Sequence, residues 1–315
     1  MTSHTITVFG GAHIDRRGRI FGATAPGASN PGAWFEEAGG GGFNAARNLA
    51  RLGLDVRMVS PRGGDTVGET VAAAALAAGV DDRPFIFLDR RTPSYTAIIE
   101  NDGNLVIALA DMELYNLFSP RRLQQKALRD ALGESDVILT DANLPAETLS
   151  ALTFKARDLG KLVTAIAISP AKVVRFAQSL GRLDFLFMNE AEARALTGVD
   201  VKGVAEWPVH LKAIGLNGGV ITRGGRSVVA FAENEIVAVE PPPLDALGDV
   251  TGAGDALAAG FLFGRLQGKS LGESLRTGVA AAGITVASPL AVSENMTADA
   301  LQAAMGLVSP AEILS

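Results

Sequence analysis

Short apolar runs with little polar alternation recur along this chain: Ile6 to Phe9, Val56 to Ser60, Phe85 to Leu88, Asp136 to Leu139, Leu162 to Ile168, Phe185 to Met188 and Gly219 to Thr222. A strand covered on both faces needs such a run, so they predict buried parallel strands. Helical stretches lie between them. Thr66 to Ala78 is Ala-rich and closed by Gly79, and Ala146 to Asp158 begins just after Pro145. Beyond Thr222, Ser227 to Ala232 and Ile236 to Val239 read as shorter antiparallel strands. Two Ala-rich helices, about Ala253 to Gln267 and Leu271 to Ala287, follow. The alternation predicts an α/β fold with a doubly wound, mostly parallel sheet.

Two segments interrupt that alternation. Arg16 to Ala38 is rich in Gly, Pro and aromatic residues without helical periodicity, and Ser94 to Ala110 reads as two strands around Asn101-Asp102-Gly103-Asn104, a hairpin signal. We assign residues 16–39 and 93–112 to one small β-sheet lid and residues 1–15, 40–92 and 113–315 to the core. The plainer reading is a pair of surface hairpins or a dimerisation patch, and a homodimer formed through the lid satisfies both.

Composition narrows the function classes. The chain has 315 residues, 48% hydrophobic and 20% charged, enough for one large domain with a small appendage. The absence of cysteine removes disulfides, thiolate zinc sites and cysteine nucleophiles. A net charge of −6 with no basic block argues against a nucleic-acid polymer as partner. No apolar run reaches the roughly 20 residues that span a bilayer, and the first residues lack a basic leader pattern, so a cytoplasmic protein is expected. With only His4, His13 and His210 and no G-x-S-x-G, a serine-hydrolase triad lacks its parts. Gly268-Lys269-Ser270 misses the Walker A spacing by one residue. A dinucleotide fingerprint begun at Gly39 meets Asn44 where its third glycine belongs.

The chemistry concentrates in two glycine-rich stretches. In Asp249-Val250-Thr251-Gly252-Ala253-Gly254-Asp255, small residues let successive N–H groups converge at the start of a helix, whose N-terminus carries about half a positive charge. A carboxylate there, Asp255, is placed to accept a proton from an attacking hydroxyl; its plainer role is a helix cap. The second stretch, Gly39-Gly40-Gly41-Gly42-Phe43-Asn44, reads as a loop leading into a helix capped at Gly53. Asn44 and Asn48, four apart, share a helix face suited to hydroxyl recognition. Asp15 follows the first strand, where open α/β sheets place ligand contacts. His13, two residues earlier, either faces a substrate or is a satisfied structural histidine.

Together, Gly39 to Gly53 and the D-x-TGAGD stretch, in that order, resemble the two signatures of the ribokinase-like, or PfkB, carbohydrate and nucleoside kinases. Asn189-Glu190-Ala191-Glu192 is similar to that family's N-x-x-E segment. Within the family, Ser29-Asn30-Pro31-Gly32, Thr92-Pro93-Ser94-Tyr95, Ala110-Asp111-Met112 and Asp141-Ala142-Asn143 resemble pseudouridine kinases. The resemblance implies in-line transfer of the γ-phosphoryl group of ATP to a primary, 5′ hydroxyl of a ribosyl substrate, pseudouridine foremost. A free-sugar kinase and a non-catalytic nucleoside or sugar sensor are the alternatives. It implies Asp255 as general base and the N–H groups of Thr251, Gly252, Ala253 and Gly254 as an anion hole. Asp15, Gly40 and Asn44 are placed around the sugar, with Asn30, Tyr95 and Asp111 toward the base. Asn189, Thr222 and Gly224 fall on the nucleotide side; Glu192 is implied for Mg²⁺ through water, and Asp249 with Thr251 for K⁺. Two departures stand out: Ser227 replaces a glycine of the nucleotide-side turn, and Ala165 to Ser169 lacks the aspartate many relatives carry there.

Overall fold

The computed structural model describes residues 4–243 and 250–314. Its strands are β1 (Thr5–Phe9), β2 (His13–Ile20), β3 (Gly32–Gly39), β4 (Asp55–Val59), β5 (Pro61–Gly63), β6 (Asp81–Asp82), β7 (Phe85–Phe87), β8 (Ser94–Ile99) and β9 (Leu105–Asp111). There follow β10 (Val137–Asp141), β11 (Leu162–Ile166), β12 (Phe185–Asn189), β13 (Gly218–Arg223), β14 (Arg226–Ala232), β15 (Glu235–Val239) and β16 (Glu312–Ile313). The helices are α1 (Gly41–Arg51), α2 (Thr66–Ala78), α3 (Lys126–Glu134), α4 (Ala146–Asp158), α5 (Pro170–Val173), α6 (Glu190–Thr197), α7 (Trp207–Ala213), α8 (Ala253–Leu266), α9 (Leu271–Val286) and α10 (Ala298–Met305).

The main sheet runs β16-β15-β14-β13-β12-β11-β10-β1-β4-β6. From β6 to β13 the pairings are parallel, and from β13 to β16 antiparallel. Alternate residues feed opposite cores, as the two-residue period of a strand requires. Ile6, Val8, Val137 and Leu139 pack with residues of α1, α2, α8, α9 and α10, whereas Phe9 and Ile138 pack with residues of α3, α4 and α7. That is the doubly wound arrangement the apolar runs predict.

The segment Phe85 to Leu88 is a correction. Its strand lies outside the main sheet and pairs with β5; Phe85 and Phe87 are partly buried and Ile86 is exposed. A short apolar run carries no label saying which sheet it joins. The helix after the glycine cluster also begins earlier than expected, at Gly41, taking two of the four glycines into its first turn.

A second sheet, ordered β3-β2-β8-β9, stands apart from the main one. The β2–β3 and β8–β9 pairs are antiparallel hairpins and the central β2–β8 pairing is parallel. β2 begins at His13 and so carries Asp15 within this sheet.

Candidate active site

Asp255 sits in the first turn of α8, after Gly252, whose φ of 80° is in the left-handed region. A side chain on Gly252 would also overlap the carbonyl oxygen of Ala291, so both backbone angle and space require glycine. The first-turn N–H groups of a helix have no preceding turn to accept them, and an added Cβ on Gly254 meets only open space. The opening of α8 thus sets the N–H groups of a helix N-terminus beside a carboxylate, with the Ala253 N–H donating to the carbonyl of Val250 at 3.3 Å. Among the described residues Asp255 Oδ2 accepts one hydrogen bond, 2.8 Å from Asn44 Nδ2. Burial pushes its carboxyl up to about 7; the bond from Asn44 opposes that, and Asp141, Asp15 and Glu192 reinforce it.

The glycine cluster is explained by what faces it. A Cβ on Gly39 would overlap Asp15 Oδ2, one on Gly40 would lie 3.1 Å from His13 Nδ1, one on Gly41 3.1 Å from Asp255 Oδ1, and one on Gly42 2.8 Å from Asp141 Oδ2. Each of the four lies against a polar side chain that long-range folding brings in. Gly40 additionally has φ of 109° and caps α1. Asn44, next in line, is buried, with its oxygen held by Arg47 Nη2 at 2.7 Å and its amide given to Asp255. Asn48 is fully buried and donates back to the carbonyl of Asn44 at 3.0 Å, a bond within the helix.

Ile168 closes the same corner. It is β-branched yet has φ of 70°, and its Cδ1 occupies the space a side chain on Gly41 would need. Such a residue stores roughly 1–3 kcal/mol of backbone strain, held by its surroundings. It stands in the segment that lacks an aspartate, so an apolar group faces this corner.

On the small sheet, Asp15 pairs with Glu37 on one side and Tyr95 on the other, setting the three in one row. Ala110 extends the row, whereas Asp111 pairs with Ser94 one step along, on the opposite face by strand alternation. Asn30 lies in the loop at the far end of the β2–β3 hairpin. Its side chain is engaged there, accepting from Ala25 N at 2.8 Å and donating to the carbonyls of Ala25 and Ala28.

Asn189 and Thr222 are register partners across β12 and β13. Asn189 and Glu192 form a capping box on α6: Glu192 N donates to Asn189 Oδ1 at 2.9 Å, and Asn189 N donates to Glu192 Oε2 at 2.6 Å. Glu192 is buried and its carboxyl is raised by that burial, so it does not belong to a solvated face. Gly224 turns β13 into β14 with φ of 64°, and Arg223 and Arg226 both clasp Glu190, at 2.8 and 2.6 Å. Ser227 lies beyond that turn, inside β14. Thr251 is exposed before α8, and Asp249 lies outside the described residues.

Several residues reach the site to which the sequence assigned no role there. Asp141, at the end of β10, is fully buried and accepts from the N–H groups of Gly11 and Gly42, each at 2.9 Å, and from Asn143. Lys172 Nζ donates to Asn143 Oδ1 at 2.7 Å, and Arg175 holds the carbonyls of Ala142 and Asn143. Beside them lies a cavity of about 170 Å³ lined by Ala110, Met112, Glu113, Asn116, Asn143, Lys172 and Arg175. Asp141-Ala142-Asn143 was visible as a motif, but nothing local ties it to residues 172 and 175. No helix among the described residues is long and apolar enough to cross a membrane.

Comparison with known proteins fits this geometry. The model of the pfkB family carbohydrate kinases matches residues 3–298. The chain is 29% identical to the pseudouridine kinase of Escherichia coli K12 over 275 residues, 86% of this chain and 87% of that one. It is 27% identical to the ribokinase of Haemophilus influenzae, covering 90% and 92%. A carbohydrate kinase structure from Agrobacterium tumefaciens superposes with a TM-score of 0.90 at 60% identity, covering 99% and 100%. Arabidopsis thaliana ribokinase, solved with ribose and ATP, shares the fold with a TM-score of 0.84 at 20% identity, covering 96% and 99%. The chain therefore belongs to the pfkB family of carbohydrate kinases, phosphotransferases that act on an alcohol group.

Proposed function

We propose that this kinase transfers the γ-phosphoryl group of ATP, in line, to the 5′ hydroxyl of a ribosyl acceptor, and that pseudouridine is the acceptor it prefers. The observation that carries the reading is Asp255: a carboxyl raised to about 7, with one hydrogen bond among the described residues, in the first turn of α8. A base tuned near working pH takes the alcohol's proton as the new P–O bond forms. The N–H groups of Gly252, Ala253 and Gly254 then stabilise charge on the transferred group. Asn189, Thr222 and Gly224 line the nucleotide side.

Among the described residues no group of three or more metal-binding side chains is present, which suits a Mg²⁺ carried by the nucleotide's phosphates. Glu192, with Oε2 bonded to Asn189 N, offers Oε1 to it through water. Mg²⁺ would supply neutralisation of the phosphate charge. Thr251 with Asp249 would hold a K⁺. Residues 16–39 and 93–112, hinged at Gly39 and Gly40, act as the lid that keeps water out.

Asp15, Gly40 and Asn44 meet the sugar, and Tyr95 faces the base. The cavity beside Asn143 supports a nucleoside over a free sugar, because its Lys172 ammonium has hydrogen-bond donors beyond the one given to Asn143, suited to ring carbonyls. The exposed apolar row Leu105, Ile107 and Leu109 on β9, with Trp34 on β3, supports a homodimer through the lid; Ile107→Glu with Leu109→Glu is expected to give a monomer by light scattering. We place the protein in the cytoplasm. ADP release with Mg²⁺-ATP and K⁺ across pseudouridine, uridine, ribose, fructose and adenosine tests the acceptor. Turnover on pseudouridine above the others supports the proposal, and preference for ribose moves the protein to the free-sugar kinases that its ribokinase relatives represent. Binding without turnover on any of them points to a sensor.

A further inference from the structure

His13 and Tyr115 form a buried pair that the phosphoryl-transfer reading leaves unused. Tyr115 is 1% exposed and lies just past the end of β9, while His13 is 6% exposed and opens β2, so the pair joins the roots of the two arms of the small sheet. The tyrosine oxygen is 2.9 Å from His13 Nδ1, and His13 Nε2 is 3.2 Å from Asp15 Oδ1. Asp15 Oδ2 has no hydrogen-bond partner among the described residues and lies against Gly39.

We infer that Tyr115 and His13 are positioning residues for Asp15: the tyrosine hydroxyl fixes the imidazole proton on Nε2, and an N–H at that nitrogen, 3.2 Å from Oδ1, attracts the carboxylate where a lone pair would repel it, so that Oδ2 is left to meet an acceptor hydroxyl. A hydroxyl that donates to Nδ1 leaves the ring's donor on the other nitrogen, the one facing the carboxylate. Tyr115 keeps its proton, since burial pushes its phenol well up, with Asp141 and Asp15 adding to the rise and Arg62 opposing it. Gly40 and Gly11 leave the room the pair occupies: a Cβ on either would lie 3.1 Å from His13 Nδ1 or from the Tyr115 oxygen. The inference rests on the proposed role of Asp15 toward the acceptor, and its test separates the two.

In Tyr115→Phe, which removes one oxygen, the KM for the acceptor is expected to rise roughly tenfold while kcat changes by less than about twofold and the KM for ATP stays level. His13→Gln, which keeps an N–H donor near the Nε2 position, is expected to stay within about threefold of the wild-type acceptor KM, and His13→Leu to match or exceed Tyr115→Phe. An unchanged acceptor KM in Tyr115→Phe, or an equal rise in the KM for ATP, overturns the inference. A second arm needs no turnover. Long-range ¹H–¹⁵N spectra of the free protein, with His13→Gln assigning the signal, are expected to show His13 as the Nε2–H tautomer and to change in Tyr115→Phe. An Nδ1–H tautomer in the wild type, or a spectrum unmoved by Tyr115→Phe, overturns the inference even if no acceptor is ever phosphorylated.

Discussion

Asp141 and Asp255 lie on either side of the glycine cluster, and the fold treats them in opposite ways. Asp141 is buried at the end of β10 with four N–H groups donating to it, from Gly11, Gly42 and twice from Asn143. Among the described residues Asp255 receives one amide, and it otherwise faces burial and the charges of Asp141, Asp15 and Glu192. Four donors make the side chain a strut tying α1 to the sheet. One donor leaves a carboxylate near the balance between charged and neutral forms, where a base works. The supply of N–H groups is what differs most plainly between the two, four for Asp141 against one for Asp255 among the described residues.

The largest effect that tests this contrast is on rate. Asp255→Asn is expected to lower kcat by ~10²–10⁴-fold, measured as ADP release at saturating acceptor. A fall of less than tenfold removes Asp255 from the role of base. Asp141→Asn has the opposite profile. It puts an NH₂ where N–H groups donate, and is expected to cost about 3 kcal/mol of stability in urea unfolding.

A pH series sharpens the comparison. kcat/KM is expected to climb about tenfold per unit toward a plateau above pH 7, as Asp255 loses its proton. In Asp141→Asn the neighbouring negative charge is gone, the ionised form of Asp255 is easier to reach, and the limb should move to lower pH. Stability has the reverse sign. The folded carboxyl titrates at about 7 and its ordinary value is 3.8, so the folded state holds the proton more tightly. That contribution is complete below about pH 4 and is lost as pH rises through 7. Asp255→Asn should therefore be more stable than wild type by about 2 kcal/mol at pH 8 and equal to it near pH 4, read from paired denaturation curves.

The smallest effect concerns the glycines between the two carboxylates. Gly39→Ala pushes a methyl group into Asp15 Oδ2, a side-chain end that is able to shift. The expected result is an acceptor KM raised about fivefold with stability changed by less than about 1 kcal/mol. No change in acceptor KM would mean that the place of Asp15 carries no weight in binding.

Much of the frame was legible because it rests on local patterns. The helices Thr66–Ala78 and Ala146–Asp158 have the bounds that Gly79 and Pro145 announce, and the antiparallel end of the sheet follows from the break after Thr222. The run at Phe85 was assigned to the wrong sheet because hydrophobicity predicts a strand and says nothing of its partner. The glycines at 39–42 were legible as a loop leading into a helix, but not their reason. The groups that crowd them come from residues 11, 15, 141 and 168, with His13 and Asp255 close behind. Lys172 and Tyr115 carry no motif, since their partners Asn143 and His13 are 29 and 102 positions away.

The sequence by itself determined the α/β alternation, the kinase family and the backbone loop that opens α8, because each is written in neighbouring residues whose periodicity or flexibility acts locally. Tertiary structure alone decided which aspartate is a strut and which is held near neutrality. It also decided which face Asp111 takes and which polar groups meet around the glycines. Those outcomes depend on how many donors and charges converge on one point in space, and that count is set by chain segments far apart in the sequence.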